Sequence, residues 1–179
     1  MKKVFILMLS LVALTACQPS AKKLSGEITS MENRLFTASA QGLTKESVDS
    51  LINKYEQFVK AYPKDTLAPV YLFKAAGVAM NTGNGEKAIT LFEKVIKDYP
   101  THPKASLAFF FKGYVEENYM KNLDQAKETY LLFLEKYPNS DFADDARASI
   151  ENLGKSPEQM VKEFEAKQKA DSLAATRKK

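Results

Sequence analysis

Residues 88–100 read AITLFEKVIKDYP, and residues 126–138 read AKETYLLFLEKYP. The two stretches align without a gap and both end in Tyr-Pro. A third Tyr-Pro lies upstream, so the pair recurs at Tyr62-Pro63, Tyr99-Pro100 and Tyr137-Pro138, with spacings of 37 and 38 residues. The columns around it also match. Tyr55, Phe92 and Tyr130 stand seven residues before the tyrosine; Phe58, Val95 and Phe133 stand four before; Val59, Ile96 and Leu134 stand three before. Such offsets fall on one stripe of a helix, so each stretch is expected to bury an aromatic and aliphatic face. Proline has no N–H and disfavours a helical residue before it, so each helix should end at the same place. Six residues past each tyrosine come Ala68, Ala105 and Ala143. These small residues let the next helix pack closely, and Ala76 and Gly113, also 37 apart, do the same.

Turn-forming stretches at 81–85 (NTGNG) and 121–124 (KNLD) separate the paired helices. The spacing predicts an all-α chain with helices near 27–40, 45–61, 67–82, 85–98, 103–120, 124–136 and 140–153. A last helix starts at Ser156-Pro157-Glu158, with serine as cap and proline at the first helical position. It carries Met160, Val161 and Phe164 to about residue 170 and is expected to cover the open end of the stack, since terminal repeats must shield the core. The ending Arg177-Lys178-Lys179 is expected to fray.

Ala88, Phe92 and Pro100, like Ala126, Tyr130 and Pro138, have the Ala-x3-Phe…Pro spacing of the tetratricopeptide repeat. The chain resembles that superfamily over about residues 45–154. Its Tyr-Pro-ended units are similar to those of envelope proteins, namely the lipoprotein subunit of the outer-membrane barrel-assembly machine and the periplasmic coordinator of the Tol–Pal system. The resemblance implies a helical-hairpin solenoid. The chain departs from the repeat pattern in lacking Trp and the Leu-Gly-x2-Tyr of the first helix, and it has Leu51 where the first unit should have alanine.

At the other end of the chain, Lys2-Lys3 precede an uncharged apolar run from Val4 to Ala16, and Leu14-Thr-Ala-Cys17 closes it. Thirteen residues fall short of the roughly 20 needed to span a bilayer, so the run reads as the apolar part of a signal. The pattern resembles a bacterial lipoprotein signal, which implies cleavage after residue 16 and lipid on Cys17. The alternative is an ordinary secretory signal with an incidental cysteine. The chain divides accordingly: signal 1–16, tether 17–26, repeat domain 27–155, and C-terminal helix with basic tail 156–179. Gln18 to Gly26 would span at most roughly 30 Å when extended. Gln18, in place of Asp, resembles the outer-membrane sorting pattern, and without an acidic run after the cysteine the periplasmic face is favoured.

Cys17 is the one cysteine of the 179 residues, so no disulfide staples the fold. Net charge is +4, or +2 without Lys2 and Lys3, which does not call for a nucleic-acid partner. His102 is the one histidine and lies in a connection, so neither a nucleophile–base pair nor a His/Cys metal site can be drawn. Adjacent acids such as Glu116-Glu117 and Asp144-Asp145 diverge by about 100° on a helix and do not converge on a substrate. No glycine loop has phosphate-binding spacing. No enzyme activity and no cofactor are expected. Phe109-Phe110-Phe111, followed by Tyr114, cannot share one helical face. Either all three are core, or one, Phe111, faces a concave groove and helps bind a peptide or glycan. Lys22, Lys23 and the basic tail could meet anionic lipid heads or serve only solubility.

Two functions remain. One is a non-enzymatic, lipid-anchored scaffold for an envelope protein partner in outer-membrane assembly or maintenance. The other is a glycan- or peptide-binding module of an uptake system.

Overall fold

The computed structural model describes residues 19–37 and 44–177. The signal segment, Cys17 and residues 178–179 lie outside the described residues. Eight α-helices follow in order: α1 (Ala21–Thr37), α2 (Lys45–Ala61), α3 (Ala68–Asn81), α4 (Gly85–Asp98), α5 (Lys104–Asn118), α6 (Leu123–Lys136), α7 (Ala143–Asn152) and α8 (Pro157–Arg177). Among the described residues there is no strand. From α1 to α7 each helix packs on the next, and α3 also touches α5, which is the packing of a helical-hairpin solenoid.

The expected helices at 45–61 and 85–98 agree with α2 and α4 at both ends. Local chemistry explains why. Thr44 caps α2 in a reciprocal box with Ser47, and Asn84 accepts from the Lys87 N–H to cap α4. Asn122 caps α6 in the same way through the Gln125 N–H. At the other end, Tyr62, Tyr99 and Tyr137 leave the helix with nearly identical backbone angles, φ −133°, −133° and −131° with ψ 58°, 52° and 56°. The following proline dictates this exit.

One joint then recurs three times. The N–H groups of Asp65, His102 and Ser140 donate to the carbonyls of Tyr62, Tyr99 and Tyr137. Three residues on, Ala68, Ala105 and Ala143 donate to the carbonyls of Asp65, His102 and Ser140. The alanines are buried at 0%, 0% and 4% exposure, because the helix they open lies too close to its neighbours for a larger side chain.

The amino-terminal region differs from expectation. The tether was expected to run through Gly26, yet α1 begins at Ala21. Leu24 and Ile28 are buried in the main core with Leu51, Tyr55 and Phe58. Fully burying each contributes about 1.5–3 kcal/mol, which outweighs the roughly 1 kcal/mol that Gly26 costs inside a helix. The polar composition of 18–26 conceals this, since its one large aliphatic residue is Leu24.

The last helix also differs. It is present from Pro157, and Ser156 and Gln159 cap one another across its first turn. Met160 lines a groove beside the stack but stays 41% exposed, and Val161 and Phe164 are 57% and 61% exposed. The expected covering of the open end is not made by these side chains. The reason lies in α7, where the buried residues are the small Ala143 and Ala146. They give a long following helix little to dock on.

Candidate functional site

α5 carries FFFKGY over residues 109–114, and the structure sends its rings in different directions. Phe110 is buried against Tyr130, Phe133 and Phe142, with ring centroids at 5.7, 5.8 and 4.8 Å. Phe109 meets Phe133 and Tyr137 edge-on. Phe111 is half-buried: it stacks on Phe92 at 6.1 Å and meets Phe73 at 6.0 Å, while also lining an open groove. The triplet is therefore divided. Phe110 is core, and Phe111 joins the core to a surface.

That groove lies between α5, α7 and the start of α8 and encloses about 930 Å³. Phe111 and Tyr114 form one wall; Leu123 and Met160 add exposed apolar surface; Ser149 and Asn152 of α7 supply polar groups. Glu117 stands at its rim, and its Oε2 accepts the Tyr130 hydroxyl at 2.9 Å. Burial pushes the Tyr130 phenol well above its ordinary value; a hydrogen bond with Ser149 works against this, and the Glu117 carboxylate adds to it. The same device occurs at the amino end, where the Tyr55 hydroxyl donates to Glu32 at 2.6 Å. In both places a tyrosine of the Tyr-Pro-ended helix is latched to an acid on the preceding helix.

His102 has a structural use. Its Nδ1 accepts the Lys104 N–H at 3.1 Å. In the equivalent joints, Asp65 Oδ1 accepts from Leu67 and Ser140 Oγ accepts from Phe142. Asp, His and Ser thus do one job, supplying an acceptor to the backbone two residues on. Glu116 is buried on α5 and pairs with Lys112 at 3.0 Å, leaving its Oε2 without a partner. Glu117 points to Tyr130 instead, so the two adjacent acids diverge. Asp144 pairs with Arg147, while Asp145 lines the groove. Among the described residues no group of three or more His, Cys, Asp or Glu is placed to hold a metal ion. No described helix is long and apolar enough to cross a membrane.

Sequence reasoning singled out Phe111 and Tyr114, and Met160 as a cover for the open end, but not Leu123, Ser149 or Asn152. The groove is assembled from four helices, α6 contributing Leu123, and the spacing within one helix carries no sign of which others face it. The exposed Leu123, opening α6 directly after a polar turn, was the one local hint.

Stacked antiparallel hairpins joined by a recurring Tyr-Pro turn define a tetratricopeptide-like helical-repeat protein. Residues 29–179 match the family described as YfiO, outer membrane lipoprotein, and the chain belongs to that family. It is similar to the outer membrane protein assembly factor BamD of Xylella fastidiosa (strain 9a5c), with 20% identity over 165 residues covering 83% of this chain and 56% of that protein. The chain thus spans little more than half the length of the curated relative it matches. Of the two envelope groups that the Tyr-Pro units resemble, the match is to the outer-membrane assembly lipoproteins.

Proposed function

We propose that this protein is a lipid-anchored, non-enzymatic scaffold that binds an envelope protein partner during outer-membrane protein assembly, acting on the periplasmic side. The observation that carries this reading is the groove between α5, α7 and α8. It offers exposed aromatic and aliphatic surface beside hydrogen-bonding side chains. A surface of that kind suits a segment of another protein, held by apolar anchors and fixed in register by polar ones. Membership of an outer membrane lipoprotein family and similarity to an assembly factor support the setting. Acylation of Cys17 supplies the attachment, and with more than one acyl chain that attachment is durable.

A photo-cross-linking residue in place of Tyr114, expressed in cells, tests the groove. One dominant adduct with an envelope protein is expected, and it should vanish when Ser149 is replaced by Arg. Absence of any protein adduct, together with thermal shifts from glycans or short peptides, would favour the uptake-module reading. Mass spectrometry of the membrane-extracted protein tests the anchor, which requires a diacyl- or triacyl-modified Cys17.

A further inference from the structure

The amino-terminal helix is fastened close to the site of attachment. The Tyr62 hydroxyl donates to the Pro19 carbonyl at 2.6 Å, across 43 residues of sequence. α1 begins at Ala21, and Leu24 and Ile28 are sunk in the core. Lys54 of α2 holds Glu27 of α1 at 2.9 Å, so the two helices are fixed antiparallel, with Pro19 beside the end of α2. Cys17 precedes Pro19 by two residues, a reach of at most about 7 Å. A free tether through Gly26 would have allowed roughly 30 Å and free tumbling. With the shorter reach, the leaflet that holds the lipid must meet the edge of the solenoid that holds Pro19.

That edge is basic. Lys22 and Lys23 of α1 are exposed on it, as are Lys60 in the last turn of α2 and Lys64 in the following turn. Lys97, in the last turn of α4, continues it. Acids lie among them: Glu27 beside Lys23 but paired with Lys54, Asp65, whose carboxylate is engaged by the Leu67 N–H, Asp98 at the end of α4, and Asp141 in the third joint. Charge of this sign is complementary to anionic phospholipid headgroups.

We propose that the edge bearing Pro19, Lys22, Lys23, Lys60 and Lys64 rests on the anionic phospholipid leaflet that carries the anchor, and that the Tyr62–Pro19 clasp holds it there. The proposal depends on acylation of Cys17, and it adds an orientation to that reading. The solenoid then stands on its turn edge, with the helix axes rising from the membrane and the opposite edge lifted by the length of α2. A rise of about 1.5 Å per residue along α2 places Lys45 about 22 Å above Lys60.

The full chain, acylated and purified from membranes, is reconstituted into vesicles of phosphatidylethanolamine and phosphatidylglycerol that contain a headgroup-labelled nitroxide lipid. A fluorophore is placed on Lys64→Cys or, in a second protein, on Lys45→Cys; acylation leaves Cys17 without a competing thiol. Quenching is expected at 64 and not at 45. Omitting phosphatidylglycerol should weaken quenching at 64, and Tyr62→Phe should shrink the difference between the two positions. Acylated protein with equal quenching at both positions would overturn the orientation. An undiminished difference in Tyr62→Phe would overturn the clasp, and undiminished quenching without the anionic lipid would overturn the headgroup contact. If mass spectrometry finds Cys17 unmodified, the anchoring reading itself fails, which separates that failure from the others. Lys60→Cys provides a second near-edge label should the first disturb the fold.

Discussion

Three tyrosines in equivalent positions have different fates. Tyr62 donates to Pro19 and Tyr99 donates to Pro63, each reaching back to the preceding unit. The hydroxyl of Tyr137 is buried with no partner. The Phe variants should therefore not behave alike. Tyr62→Phe and Tyr99→Phe each lose a hydrogen bond and should cost about 0.5–1.5 kcal/mol. Tyr137→Phe removes an unpaired buried oxygen and should be neutral or stabilise by up to about 1 kcal/mol. Urea denaturation of the three proteins checks the order, and a loss at Tyr137 as large as at Tyr62 would contradict it. Tyr55 and Tyr130 add a pH effect. Burial, then the neighbouring Glu32 and Glu117 carboxylates, raise both phenols in the folded chain. The unfolded chain ionises near pH 10 while the folded chain stays protonated. Their contribution is thus complete below about pH 10 and falls away as alkali is added. Melting temperature should drop steeply above about pH 10, and less steeply in Tyr55→Phe/Tyr130→Phe.

At the scale of the helix, close approach is set by single glycines. A Cβ on Gly113 would stand 2.8 Å from the Tyr130 ring, whereas one on Gly77 would meet nothing within 4 Å. Alanine favours a helix over glycine by about 0.5–1 kcal/mol. At Gly77 that preference acts unopposed, and Gly77→Ala should stabilise by that amount. At Gly113 the overlap with a buried ring costs about 1–3 kcal/mol and wins, so Gly113→Ala should destabilise. Thermal melts of the two variants should move in opposite directions. The same pair shows how much of the fold could be read in advance. Gly113 was legible because it repeats Ala76 at a fixed interval. The bounds of α2 and α4 were legible because caps and prolines act locally. The start of α1 was not: Ser20 caps it by accepting the Lys23 N–H, but in so polar a stretch that cap takes hold through the burial of Leu24 and Ile28. Nor was the seat of α8, because an apolar helix face does not name the surface it meets. Phe109 to Phe111 show the same limit: angular spacing excluded a common face without saying which ring would line the groove.

In the whole molecule, stability passes from neighbour to neighbour. α3 is flanked on both sides and buries Tyr71, Leu72, Ala75, Ala76 and Ala79, whereas α7 packs on α6 and buries Ala143 and Ala146. Opening should therefore begin at the carboxyl end. Hydrogen exchange should show α7 amides opening about tenfold or more faster than those of α3, and equal protection would imply a single cooperative block. The groove lies at this softer end, where Leu123 and Met160 remain exposed. A partner seated there would draw α7 and α8 toward a fixed arrangement, and α7 protection should rise when it binds.

The joint that follows each Tyr-Pro is the same three times over, down to its hydrogen bonds and the alanine beyond it. Because that connection accepts Asp, His or Ser at its centre, it is an interchangeable coupling. Cutting before Ala68 and before Ala105 would release a module whose two ends already fit one another. Genes built this way can lengthen or shorten by whole modules without inventing a new seam, so homologues of unequal length can share one design.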